Sequence, residues 1–311
     1  MSTLFQFPGQ GAQRPGMLHT LPKDTEVQRT LDEAATVLGT DPLELDSAQA
    51  LEHTRAVQLC LLIAGVASAR WLLSRGPAPQ LVAGLSIGAY AAAVVAEVLD
   101  FSDALRLVAR RGELMQAAYP SGYGMLAVLG LSRGAVERLV ADHHRPEAPL
   151  YLANANAEQQ YVVAGSDAGL AVLADAARAE GAAAAKRLAM SVPSHCPLLA
   201  EAAQALDLAF ADVAVRAPRL AYLSGTSARR LVRAEQVRDD LAFNMARPIE
   251  WHATLEAARE RGVRLAIELA PGSILTQLAR RVLPASGVLA WQDSHPDTLE
   301  ALRREEAARL D

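Results

Sequence analysis

The sequence predicts an α/β fold in two parts, a large unit around a parallel sheet and a smaller inserted unit, and three observations carry that prediction. Short apolar runs such as Leu4 to Phe7, Leu81 to Ala83 and Arg264 to Leu269 alternate with helical stretches, as strands buried between helix layers do. The run at Leu81 enters Gly84-Leu85-Ser86-Ile87-Gly88 and leaves along an Ala/Val-rich helical stretch ending near Leu99, the strand-turn-helix context a G-x-S-x-G requires. Between Met125 and Leu188 the order changes to βαββαβ, the ferredoxin-like arrangement, in a stretch short enough for one small subdomain.

Taken in order, Leu4 to Phe7 reads as a buried strand, and Pro8 to Gln13 as the loop leaving its C-terminal end, the edge where open α/β sheets bind ligands. Helices follow from about Asp24 to Leu38 and from about Thr54 to Leu73, the second stopping at Arg75-Gly76-Pro77. After the elbow, Ser102 and Asp103 open a helix with Leu105, Val108 and Ala109 on one face and Arg106, Arg110, Arg111 and Glu113 among the rest.

The inserted unit reads as strands at Met125 to Leu129, Tyr151 to Ala153, Tyr161 to Ala164 and Ala184 to Leu188, with helices at Ser132 to His143 and Asp167 to Glu180. Gly- and Pro-containing stretches at Pro120 to Gly124 and Ser191 to Pro193 mark its hinges. The large unit resumes with a helix at Pro197 to Phe210, a strand at Leu220 to Leu223 and helices at Ala234 to Asn244 and Trp251 to Arg261. It closes with a strand at Arg264 to Leu269, a helix at Ile274 to Val282, a strand at Val288 to Trp291 and a charged helix. The expected division is therefore 1–123 with 192–311 as an α/β-hydrolase-like domain and 124–191 as the ferredoxin-like subdomain.

Composition narrows the function classes. A net charge of -5 and a pI near 5.8 give no basic field for nucleic acid or an anionic membrane. The N-terminus has no basic n-region or long apolar h-region, and the longest apolar stretch, Leu59 to Ala69, is short of a membrane span, so the expected location is the cytoplasm. Cys60 and Cys196 offer neither a disulfide framework nor metal-ligand spacing.

In the elbow, Ser86 sits where a nucleophile would be exposed on a tight turn, or where a serine would simply cap the following helix. A serine nucleophile needs a base. Of the seven histidines, His195 is the best placed, in the proline-bracketed loop Ser191-Val192-Pro193-Ser194-His195-Cys196-Pro197; its alternative role is to cap the next helix. No acidic residue announces itself as the histidine's orienter between Ser86 and His195, so a hydrolase triad fits poorly. Arg111, from the residues alone, reads as an exposed helix charge like Arg106 and Arg110.

Six motifs in order resemble a family. Phe7-Pro8-Gly9-Gln10-Gly11-Ala12-Gln13, Gly84 to Gly88, Arg111-Gly112-Glu113-Leu114-Met115-Gln116, Asn154-Ala155-Asn156 with Val162-Val163-Ala164-Gly165, Val192-Pro193-Ser194-His195, and Asn244 ahead of Arg247-Pro248-Ile249-Glu250-Trp251 look like the malonyl-CoA:acyl-carrier-protein transacylases. The resemblance implies ping-pong malonyl transfer with no permanently bound cofactor and no metal. It implies Ser86 as nucleophile and His195 as base, with the Gln10 and Ile87 N–H groups as oxyanion hole. It further implies a main-chain carbonyl near Asn244 orienting His195, and Arg111, with Gln10 and Asn244, binding the malonyl group.

The chain departs from the family at Leu85, where His is usual, at Ala89, where Glu is usual, and at Asn244, where many members have Gln. With Thr54-Arg55-Ala56-Val57-Gln58-Leu59 and the His195 loop, these departures look like one branch, the malonyl transacylase (epsilon) subunit of bacterial malonate decarboxylase. That branch implies a carrier subunit with a dephospho-CoA-derived thiol, and other decarboxylase subunits, as partners. The alternative is the fatty-acid-synthesis transacylase with a phosphopantetheine carrier. A non-catalytic carrier-binding scaffold and a serine esterase are the rivals of other classes.

Overall fold

The computed structural model describes residues 2–309; Met1, Leu310 and Asp311, which the expected large unit includes, lie outside the described residues. The chain forms β1 (Ser2–Phe7), α1 (Thr25–Leu38), α2 (Thr54–Arg75), β2 (Leu81–Gly84), α3 (Gly88–Val95) and α4 (Phe101–Ala118). The second sheet follows as β3 (Tyr123–Leu129), α5 (Arg133–His143), β4 (Leu150–Ala157), β5 (Gln160–Ser166), α6 (Asp167–Ala179) and β6 (Ala184–Arg187). Then come α7 (Ala200–Ala209), β7 (Ala221–Leu223), β8 (Arg230–Leu231), α8 (Ala234–Phe243), α9 (Trp251–Glu260), β9 (Val263–Glu268), α10 (Ile274–Val282), β10 (Gly287–Ala290) and α11 (Pro296–Ala308).

The large sheet has the order β10-β9-β1-β2-β7-β8, parallel throughout except for the edge strand β8. Strand side chains alternate between faces. Phe5, Phe7 and Val82 therefore join the larger core, with α2 at its centre, while Leu4, Leu81 and Ala83 pack with α9 and α10 on the other face. Helix α2 is long and apolar enough to cross a membrane, yet 89% of its apolar window is buried inside the protein. It is apolar all round because helices and sheet surround it, so its hydropathy records burial in the core.

The second sheet has the order β4-β5-β3-β6, all antiparallel, as a ferredoxin-like unit requires, with α5 and α6 sharing its core. Two ties join it to the large sheet's layer. The Ala155 N–H donates to the Ile249 carbonyl and the Ile249 N–H to the Ala153 carbonyl, both at 2.8 Å. Arg133 on α5 forms a bidentate pair with Glu250 at 2.9 Å for each contact.

Several expected boundaries shift. The short strand β8 has no periodic signal and exists because Tyr222 and Leu223 offer it an edge to pair with. Pro197 to Leu199 is a 3₁₀ turn ahead of α7, Asn244 opens a 3₁₀ turn after α8, and Trp291 begins another after β10. Each lies where helix or strand geometry gives way to a tighter turn, and sequence fixes such ends to within a residue or two at best.

Candidate active site

The parallel register of β1 with β2, Phe7 opposite Gly84, brings the loop after β1 beside the elbow after β2. Ser86 holds a left-handed backbone, φ 56°, a conformation that non-glycine residues adopt at a cost and that recurs at functional sites. The turn is possible because Gly84 and Gly88 are glycines: a Cβ on Gly84 would lie 2.1 Å from the Gly88 carbonyl carbon, and one on Gly88 would lie 2.1 Å from the Phe7 oxygen. Ser86 makes no capping bond to α3. Its Oγ lies 2.8 Å from His195 Nε2 instead.

His195 also has a left-handed backbone, φ 64°, and is pinned twice to the turn after α8. Its N–H donates to the Met245 carbonyl at 2.6 Å, and its Nδ1 lies 2.7 Å from the Asn244 carbonyl oxygen. A carbonyl can only accept, so Nδ1 carries the proton. In the neutral ring Nε2 is then the acceptor, and the Ser86 hydroxyl donates to it. Burial, and secondarily the Arg111 charge, push the His195 pKa down to about 4, against the opposing main-chain hydrogen bonds at Asn244 and Arg247. The ring is thus held neutral, in the tautomer a general base needs.

Arg111, on α4, is not an exposed helix charge. It is fully buried, whereas Arg106 and Arg110 on the same helix are exposed. Gly112 allows the approach of α4 to α2, since a Cβ there would lie 2.5 Å from the Arg55 Cα. Arg111 donates from Nη1 to Gln58 Oε1 at 2.8 Å and from Nη2 to Asn244 Oδ1 at 3.0 Å, with Ser86 Oγ at 3.4 Å. None of these acceptors is charged. Burial draws the Arg111 pKa down to about 10.

Gln10 and Ile87 flank Ser86 from the two loops, and neither backbone N–H donates a hydrogen bond among the described residues. A cavity of about 640 Å³ opens over Gln10, Leu85, Ser86 and His195. The large layer supplies Leu275 and Leu278 to its walls, and the second sheet supplies Met125, Asn154, Asn156 and Val162. The Oδ1 atoms of Asn154 and Asn156, on the second-sheet side, are buried without a hydrogen-bond partner among the described residues.

All six expected site residues, Gln10, Ser86, Ile87, Arg111, His195 and Asn244, converge at this end of the sheet. The main addition is Gln58, which lies in the Thr54 to Leu59 segment of α2, a stretch that marks the branch without giving Gln58 a role. Cys196 plays no part as a nucleophile: it is buried, its thiol donates to the Pro193 carbonyl, and burial pushes its pKa up to about 12. Arg187 and Arg247, near the cleft, are already paired with Asp167 and Asp239. Among the described residues, no group of three or more His, Cys, Asp or Glu could hold a metal ion.

A buried serine, a neutral histidine oriented by a carbonyl, and free N–H groups at a helix start together suit acyl transfer through a serine ester. Comparison with known proteins agrees. The acyl transferase domain model matches residues 4–305. The malonyl CoA-acyl carrier protein transacylase of Escherichia coli strain K12 is 35% identical over 285 residues, covering 90% of this chain and 92% of that protein. The Bacillus subtilis transacylase is 32% identical over 302 residues, covering 95% and 94%. Among solved structures, the Coxiella burnetii malonyl CoA-acyl carrier protein transacylase superposes with a TM-score of 0.92 at 32% identity, covering 98% of each chain. A malonyl-transacylase solved in complex with a type II PKS acyl-carrier protein gives a TM-score of 0.91 at 34% identity, covering 98% of this chain and 100% of that one. With its fold, its site and these likenesses in agreement, the chain belongs to the acyl transferase domain family and is an acyltransferase of the malonyl-CoA:acyl-carrier-protein transacylase group.

Proposed function

We propose that the protein moves a malonyl group from malonyl-CoA to the prosthetic-group thiol of an acyl carrier protein. The observation that carries this reading is the pairing of the Ser86–His195 hydrogen bond with a buried guanidinium, Arg111, that has only neutral acceptors around it. Ser86 Oγ attacks the thioester carbonyl carbon while its proton passes to His195 Nε2. The Gln10 and Ile87 N–H groups receive the developing oxyanion. Collapse expels the CoA sulfur, which takes the proton back from His195, leaving a malonyl ester on Ser86. The carrier thiol then attacks that ester, and His195 repeats the two proton transfers in the same order.

Arg111 receives the free malonyl carboxylate. An acetyl group in the same place leaves the guanidinium without an anion, which is the source of selectivity. The units 1–123 with 192–311 and 124–191 form the two walls between which the acyl chain and its thioester enter. The enzyme works in the cytoplasm, with no resident cofactor.

For the acceptor, the transacylase relatives favour a phosphopantetheine carrier of the fatty-acid-synthesis type over the dephospho-CoA-type carrier of malonate decarboxylase. One feature supports the decarboxylase reading: Leu85, beside the nucleophile and lining the cavity, makes this wall apolar where the family is usually polar. The test is intact-protein mass after brief exposure to malonyl-CoA, followed by addition of each carrier type. A malonyl adduct that is absent from Ser86→Ala establishes the serine ester, and the carrier that discharges it identifies the acceptor. An adduct on Ser86→Ala, or none on the unaltered enzyme, refutes the reading.

A further inference from the structure

Gln58 is one of two polar side chains buried in the otherwise apolar middle of α2; the other, Ser68, is satisfied by the Ala64 and Gly65 carbonyls of its own helix. A carboxamide placed in such a core costs free energy unless its polar atoms are engaged. Those of Gln58 are engaged only with the site. Its Oε1 accepts from Arg111 Nη1 at 2.8 Å, and its Nε2 lies 3.3 Å from Gln10 Oε1 and 3.2 Å from Met115 Sδ. Arginine has no acceptor, so the amide oxygen must face Arg111, and the amide nitrogen then faces the loop whose backbone flanks Ser86. Asn244 holds the other Nη with a second carboxamide oxygen. The guanidinium is thereby aimed by two dipoles and neutralised by none.

We propose that Gln58 determines acyl specificity by orienting Arg111 while withholding a countercharge. This inference rests on the malonyl-transfer reading above. A carboxylate at position 58 has the same reach as the amide and forms an internal ion pair with Arg111. The charge that would select a carboxylated acyl group is then already satisfied, and uncarboxylated groups compete on equal terms. Gln58 is a positioning residue with no contact to the reacting atoms, and its effect falls on selection among acyl groups.

The test uses the full chain and two variants, Gln58→Glu, which sets a carboxylate against the guanidinium, and Gln58→Leu, which removes the amide without adding a charge. Rates of Ser86 acylation by malonyl-CoA and by acetyl-CoA are followed by intact-protein mass over a range of concentrations. Labelling of Ser86 by phenylmethylsulfonyl fluoride checks the Ser86–His195 pair. Gln58→Glu is expected to lower the malonyl-to-acetyl preference by about a hundredfold, mostly through the KM for malonyl-CoA, with acetyl transfer and sulfonyl labelling within about threefold of the unaltered enzyme. Gln58→Leu, which leaves the positive charge unpaired but no longer aimed, is expected to lower the preference by about tenfold, less than Gln58→Glu does.

A Gln58→Glu enzyme that keeps the original preference, or loses both acyl transfers and sulfonyl labelling in parallel as a packing defect would make it do, overturns the proposal. If Gln58→Glu does not fold, Gln58→Leu carries the test, and an unchanged preference there overturns the proposal. An unaltered enzyme that takes neither acyl group overturns the underlying reading and this inference with it, a pattern distinct from failure at position 58 alone.

Discussion

Replacing Arg111 by methionine removes the charge and keeps most of the side-chain volume, so it isolates the electrostatic part of acyl selection. The size of the effect follows from the structure. Arg111 is fully buried, and burial draws its pKa from 12.5 down to about 10. At about 1.4 kcal/mol for each power of ten, the free enzyme holds about 3 kcal/mol of unrelieved desolvation on this one side chain. A malonyl carboxylate relieves it and an acetyl group does not. The Arg111→Met enzyme should therefore lose about two powers of ten in kcat/KM for malonyl-CoA while acetyl-CoA changes only a few-fold.

The variant should melt close to the parent, because relief of the buried unpaired charge is offset by loss of its hydrogen bonds to Gln58 Oε1 and Asn244 Oδ1. Single-turnover acylation by each CoA ester and a thermal melt measure both quantities. An unchanged malonyl-to-acetyl ratio refutes the clamp. A large loss of stability would instead make Arg111 a structural residue.

Three further outcomes follow from the same geometry. Ser86→Ala should form no acyl-enzyme by intact mass while melting near the parent temperature, and an adduct on the variant would move the nucleophile elsewhere. Because His195 stays neutral down to about pH 4, acylation at pH 5.5 should retain nearly all of its neutral-pH rate, where a histidine of ordinary pKa would leave about a tenth; an acid limb centred near 6.5 in the rate profile would refute this. The stability sign agrees: the unfolded chain binds this proton near 6.5 and the folded chain only near 4, so the contribution is complete above 6.5 and lost as pH falls toward 4. Gly88→Ala should cost about 3 kcal/mol or more in chemical denaturation, since its Cβ would lie 2.1 Å from the Phe7 oxygen and the first strand must move; a melt like the parent's would contradict that packing.

Local chemistry made much of this molecule readable in advance. The elbow around Ser86, the proline-bracketed loop of His195 and the βαββαβ order of the second sheet each depend on near neighbours in the chain, through turn residues, periodicity and length. The roles of Arg111, Gln58 and the Asn244 carbonyl depend on what lies across space. Arg111 shares a helix with Arg106 and Arg110, and only the packing of α4 on α2 at Gly112 buries one and leaves the others outside. Gln58 stands in an apolar helix with nothing beside it in the sequence to give its amide a purpose. Every residue has a carbonyl, so a histidine oriented by one leaves no mark in the amino-acid string, whereas an aspartate would. The sequence by itself determined the elements, the elbow that carries Ser86 and the loop that carries His195, because those are set by local geometry and residue type. The resemblance implies Arg111 and a carbonyl near Asn244, but only the tertiary structure decided that Arg111 is buried, that Gln58 and Asn244 hold it and which backbone oxygen faces His195, because those follow from contacts between segments more than forty residues apart.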